Sequence, residues 1–159
     1  MKINGDLLIG NTSTTLEDCI PHQRSIMTLT NSDAIYSVPN NAIVTFNTEN
    51  HIGNKLTFSN SNRIVIGSGI SKVLVSASVG VRYPATNDKK YAFSIIKNGA
   101  YIQGAGAYNQ KKFNEPVSAC IGGILIDVQE GDYIQLKTNF GATADITNDA
   151  LYLTVEEIA

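Results

Sequence analysis

The feature that most restricts the fold is the segment Val117-Ser118-Ala119-Cys120-Ile121-Gly122-Gly123-Ile124-Leu125-Ile126-Asp127-Val128. Read with the two-residue period of a strand, one face holds Cys120, Gly122, Ile124, Ile126 and Val128. The other face holds Val117, Ala119, Ile121, Gly123 and Leu125. An antiparallel strand with one wet face alternates apolar with polar residues. This one is apolar or small on both sides, so both sides call for cover. Either another part of the chain or a second subunit supplies it. A chain of 159 residues has little spare mass for the task, which favours the subunit and makes Val117, Ala119, Ile121, Gly123 and Leu125 the expected self-association face. The paired glycines allow a neighbouring backbone or ring to come close.

The rest of the chain reads the same way. From Lys72 to Tyr83, Val73, Val75, Ala77, Val79, Val81 and Tyr83 fall on one face, with Ser76, Ser78, Gly80 and Arg82 on the other. Residues 42–48 alternate, and Lys55–Ser59 and Arg63–Ile66 flank a turn at Asn60-Ser61-Asn62. Tyr91–Lys97 runs into Asn98-Gly99, a pair that tolerates the positive φ of a type I′ hairpin turn. Further strands are expected at Tyr101–Tyr108, Tyr133–Phe140 and Leu151–Ile158, with turns or loops at 129–132 and 141–149. Strand–helix alternation is absent, so the expected class is an all-β antiparallel sandwich or barrel over residues 26–159. Apolar residues make up 43% and charged residues only 16%, so the chain is globular rather than disordered. Asn, Ser, Thr and Gly supply the missing polarity.

Residues 1–25 form a polar leader, expected to serve as an attachment segment. Thr14 followed by Glu17 is a capping-box pattern, which predicts one short helix through Leu16 and Ile20, ended at Pro21. Cys120 sits in an apolar run and is expected to be a buried thiol. Neither it nor Cys19 has a His or Cys at metal-ligand spacing.

The stretch Tyr91–Ala159 resembles the C-terminal half of the tumour necrosis factor-like and complement globular-head jelly roll. The matching residues are Ile96-Lys97-Asn98-Gly99, Ile124–Val128, Glu130-Gly131-Asp132-Tyr133-Ile134-Gln135-Leu136 and Leu151–Ile158. With the N-terminal strands the resemblance covers roughly residues 30–159. It implies a ten-stranded antiparallel jelly-roll sandwich assembling as a homotrimer. The chain departs from animal members in having no Trp and no collagen-like stem, which argues against a signalling ligand. Such domains also occur in bacterial surface proteins and bacteriophage appendages. Gly5-Asp6-Leu7-Leu8-Ile9-Gly10-Asn11, followed by Thr14-Thr15-Leu16, resembles the start of phage minor structural proteins. The resemblance implies a virion component that binds other virion proteins through residues 1–25, with a bacterial cell-surface protein as the alternative.

The search for chemistry returns little. The two histidines, His22 and His51, stand away from any Gly-x-Ser-x-Gly elbow, so Ser-His-Asp chemistry is not expected. Glu115, Glu130, Asp132, Asp145 and Asp149 lie in turn or loop contexts, where acids are expected to be solvated; Asp127 is in a strand. Glu156 and Glu157 are adjacent and so point to opposite faces. No enzyme activity and no resident cofactor are expected. Calcium remains possible at Asp145, Asn148 and Asp149, whose oxygens suit a hard cation. A net charge of −2 leaves no footprint for nucleic acid. No apolar run approaches the roughly 18 residues of a membrane span, so membrane insertion is not expected. Function is expected in loops. Tyr83, Asn87, Asp88, Tyr108, Asn109, Gln110 and Phe113 combine rings with amides and a charge, a set that can hold a host-surface saccharide or protein.

Overall fold

The computed structural model describes residues 6–9, 12–15, 24–33, 35–82, 90–110, 116–140 and 143–158. In chain order the strands are β1 (Asp6–Ile9), β2 (Thr12–Thr15), β3 (Ile26–Thr30), β4 (Ile35–Val38), β5 (Thr48–Ile52), β6 (Leu56–Ser59) and β7 (Arg63–Ile66). They continue with β8 (Lys72–Val81), β9 (Lys90–Lys97), β10 (Ala100–Gln110), β11 (Val117–Asp127), β12 (Tyr133–Asn139) and β13 (Ala144–Glu157).

Two antiparallel sheets face each other. One runs β10-β9-β12-β7-β6, the other β11-β8-β13-β3-β5, and β4 adds a further strand by pairing with β13. The all-β, antiparallel expectation is met. The two paths hold five strands each and β4 adds another; β3 and β5 were not among the strands expected from the sequence. Residues 42–47 do not make a regular strand as expected; one bridge, Ile43 with Lys137, holds them to β12. Val44 and Phe46 nevertheless enter the core.

The alternation of β8 works as its sequence implies. Val73, Val75, Ala77, Val79 and Val81 are buried between the sheets with Phe46, Phe93 and Phe140. Tyr91 and Phe140 meet with ring centroids 5.5 Å apart, a tilted contact that adds to their burial. The hairpin at Asn98-Gly99 also forms as read, with φ of 52° and 80° at the two residues.

The leader departs from expectation. Thr14, the expected helix cap, lies in β2 opposite Leu7 of β1, and among the described residues there is no helix. Residues 16–23, where the rest of that helix was expected, lie outside the described residues. The three β-branched threonines of Thr12-Ser13-Thr14-Thr15 favour extended backbone over a helical first turn. Ile9 pairs with Thr12, so Gly10-Asn11 separates the two strands, a hairpin signal that outweighs the capping box.

Candidate functional site

The doubly apolar segment becomes β11, which among the described residues is an edge strand paired with β8 alone. Its register slips once. Ile121 faces Ala77 and Ile124 faces Val75, so three steps on β11 match two on β8. The extra residue is a β-bulge at Gly122-Gly123 and it reverses the facing of everything beyond it. Val117, Ala119 and Ile121 pack against the core, and after the bulge so do Ile124 and Ile126. Gly123 and Leu125 face outward, and Leu125 is 60% exposed. The five expected interface residues therefore do not share a face, because a strict two-residue period ignores the bulge. Cys120 is exposed rather than buried, with its sulfur 3.4 Å from the Ser78 hydroxyl.

The true outward face of this sheet is more informative than the strand alone. The pairings align Ile52, Ile26, Glu156, Leu74 and Leu125 in one row across five strands. A parallel row holds Tyr152, Ser78 and Cys120, and between them Thr28 and Thr154 share a 2.9 Å hydroxyl contact. Lys72 meets Asp127 at 3.2 Å toward one end, Glu156 on the central strand is reached by Arg24 at 3.9 Å, and Asp145, between the buried Ala144 and Ile146, faces outward toward the other end. The face is therefore in part apolar, with Leu74 and Leu125 on one side of Glu156 and Ile26 and Ile52 on the other.

The turn acids are not all solvated. Asp132 is 5% exposed. Its carboxylate accepts from Asn98 Nδ2 at 2.6 Å, from the Gln129 amide at 3.0 Å and from Lys97 Nζ at 3.2 Å. Burial pushes this carboxyl up, but those hydrogen bonds and the Lys97 charge outweigh it, and it stands below the ordinary value. Glu157 is held likewise, by Lys55 at 2.5 Å and the Ser25 amide at 2.9 Å, while Glu156 points the other way. Both buried acids are tied into structure and neither faces a partner acid, so no catalytic pair forms from them.

The expected calcium cluster falls on strand β13 instead of a loop. The Asp145 carboxylate accepts a hydrogen bond from the Ser37 hydroxyl, and its carbonyl accepts from the Arg82 amide at 2.8 Å. Asn148 follows just before a register shift between Thr147 and Tyr152; the Asp149 side chain lies outside the described residues. Among the described residues no group of three or more His, Cys, Asp or Glu comes together as for a metal.

Of the expected ligand set, Tyr83, Asn87, Asp88 and Phe113 lie outside the described residues, as does the side chain of Gln110. Tyr108 stands on β10 and is 72% exposed. Asn109 points the opposite way and donates to the Ser118 carbonyl at 2.9 Å, tying β10 to β11. The residues that sequence reasoning passed over are Tyr101, 59% exposed, and Ile52, 50% exposed. Each sits on a strand edge whose facing only the register reveals.

No family model and no curated protein matches the chain. Solved structures do. An Eiger TNF of S. frugiperda matches with a TM-score of 0.65 at 9% identity, covering 86% of this chain and 93% of its own. Murine APRIL matches with 0.65 at 12%, covering 85% and 99%. The globular domain of a zebrafish complement 1qA protein matches with 0.61 at 6%, covering 85% and 96%. At such identities the likeness concerns the fold, and on it the described sandwich is a jelly roll of the kind shared by tumour necrosis factor and complement globular-head domains.

Proposed function

We propose that the chain is a non-enzymatic, trimeric jelly-roll head of a phage tail or head appendage that contributes to host-surface binding. The observation that carries the assembly is the outward face of the β11-β8-β13-β3-β5 sheet, where Leu125 and Ile52 stand exposed at its two edges, in one row with Leu74, Ile26 and a single acid, Glu156, on the central strand. Exposed apolar surface of this kind marks an interaction site. The trimer implied by the resemblance of 91–159 to the jelly-roll family agrees with that face. The virion setting rests on the resemblance of the leader to phage structural proteins. Three weak sites presented together would gain avidity without any new contact.

Light scattering on the full chain tests the assembly: a mass three times that of the chain is expected, and a monomer at micromolar concentration overturns it. Adhesion is tested by incubating the assembled protein with candidate host cells and measuring depletion from solution. A second reading, a virion assembly protein that acts through residues 1–25, is favoured by β1 and β2, which form a two-stranded sheet of their own. An isolated hairpin of that kind is marginal in water and gains by docking on a partner. Deleting residues 1–25 separates the two: loss of virion incorporation with cell binding retained supports the head, and no cell binding by either form supports the assembly role.

A further inference from the structure

We propose that the opposite face of the sandwich, the outward side of the β10-β9-β12-β7-β6 sheet, binds an anionic saccharide. This deepens the adhesion reading above by naming the ligand class and the surface. The first observation is one of charge. The five strands contain no Asp or Glu at any position, yet carry Arg63, Lys90, Lys97 and Lys137, in a chain whose net charge is −2. Lys97 is committed to Asp132. The other three lie over tyrosine rings. The Arg63 guanidinium is 4.9 Å from the Tyr133 ring centroid, Lys137 Nζ is 5.1 Å from that of Tyr101, and Lys90 Nζ is 6.0 Å from that of Tyr108.

The second observation is one of shape. Tyr101 pairs with Ile96 and Tyr108 with Ala92, four residues apart on β9. The backbone positions that carry the two rings are thus about 13 Å apart along the strands. Between them the floor is Gly106 beside Ser94, with Lys137 next to Ser94 on β12. A Cβ at Gly106 would stand 3.2 Å from the Ser94 hydroxyl, so the small residue keeps this floor low. The result is a shallow trough with an exposed ring at each end and a cation beside each ring. The face of each ring that its lysine leaves uncovered can stack on the apolar face of a sugar ring, and the lysine donates to a carboxylate, sulfate or phosphate on the same sugar. An uncharged sugar would leave the cations unmatched, and an apolar peptide would bury them.

The test is retention of the full chain on an array of carboxylated, sulfated and phosphorylated glycans, with neutral glycans of the same backbone and a single-stranded DNA oligonucleotide as comparators. Retention by anionic glycans alone is expected, weakening as salt is added. Tyr101→Ala, Lys90→Glu and Lys137→Glu are each expected to lower it about tenfold. Equal retention by neutral glycans, equal or stronger retention by the oligonucleotide, or no retention at all overturns the proposal. Light scattering on the same samples separates the two readings. An intact trimer that retains no glycan sinks this inference alone, and a monomer that retains anionic glycan sinks the trimer alone.

Discussion

Asn98 Nδ2 donates to Asp132 Oδ1 at 2.6 Å, and Asn98 Oδ1 accepts from the Tyr133 amide at 2.9 Å. Two turns far apart in sequence, 98–99 and 129–132, are thereby one hydrogen-bonded unit. Lys97 completes it with bonds to Asp132 and to the Asp127 carbonyl at 3.0 Å. Removing the buried acceptor takes a partner from three donors, of which Lys97 keeps the Asp127 carbonyl. Asp132→Ala is therefore expected to cost about 2–4 kcal/mol, and Asp132→Asn, which keeps one acceptor oxygen, less. Urea unfolding checks both. A loss below about 0.5 kcal/mol for Asp132→Ala, the scale of an ordinary surface change, would show the clamp to be idle.

Acid should weaken the fold in a defined window. Asp132 and Glu157 both stand below their ordinary values in the folded chain, burial raising each and the hydrogen bonds and neighbouring lysine lowering it further than burial raises it. A folded value below the unfolded one means stability that is complete above the unfolded value, about 3.9 for Asp and 4.3 for Glu. It is lost as pH falls below that value toward the folded one. The urea midpoint is expected to be level near neutrality and to drop below about pH 4–5. Glu157→Gln should start lower and lose less over that range, so the two curves converge in acid. Parallel curves would remove Glu157 from the acid response.

How much of this was legible in the sequence depends on whether a signal was local. The turn at Asn98-Gly99 and the alternation of β8 were legible, because backbone preference and two-residue period are properties of neighbours in the chain. The bond between Asn98 and Asp132 was not, since it joins residues 34 apart and acids in turns are ordinarily solvated. The facing of Val117, Ala119 and Ile121, which turn to the core, was misread for a different reason. Gly122-Gly123 could be read as a close-approach site or as a bulge, and only the pairing with Ala77 and Val75 decides for the bulge. Tyr101 and Tyr108 were visible as residues, but the trough between them needs the register of β9 as well.

Gly80 marks where β13 folds over its own sheet. A Cβ there would stand 2.7 Å from both the Ala150 Cβ and the Thr147 hydroxyl, beside the register shift between Thr147 and Tyr152. The Thr147 hydroxyl can rotate aside, but the Ala150 Cβ is fixed to its backbone and cannot, so Gly80→Ala is expected to cost about 1–3 kcal/mol. Gly122→Ala, whose new methyl meets nothing within 4 Å, should stay within about 0.5 kcal/mol. Thermal unfolding of the pair checks the contrast, and equal losses would mean that the bulge of β13 yields.

Leu125 gives the sharpest handle on assembly. It is 60% exposed and paired with Leu74 on the outward row, so a charge placed there should leave the single chain within about 0.5 kcal/mol of its stability. In an assembled face the same charge would lose the burial of a leucine, about 1.5–3 kcal/mol, at each copy of the contact, and would add an unpaired charge that is costly to desolvate. Leu125→Asp is therefore expected to convert trimer to monomer in sedimentation velocity with its circular dichroism unchanged. Cys120, exposed on the same face, supplies an independent reading. Its thiol should label slowly in the trimer and at the rate of a free thiol in the Leu125→Asp chain. Fast labelling in both, with the trimer intact in both, would place the subunit contact on some other surface.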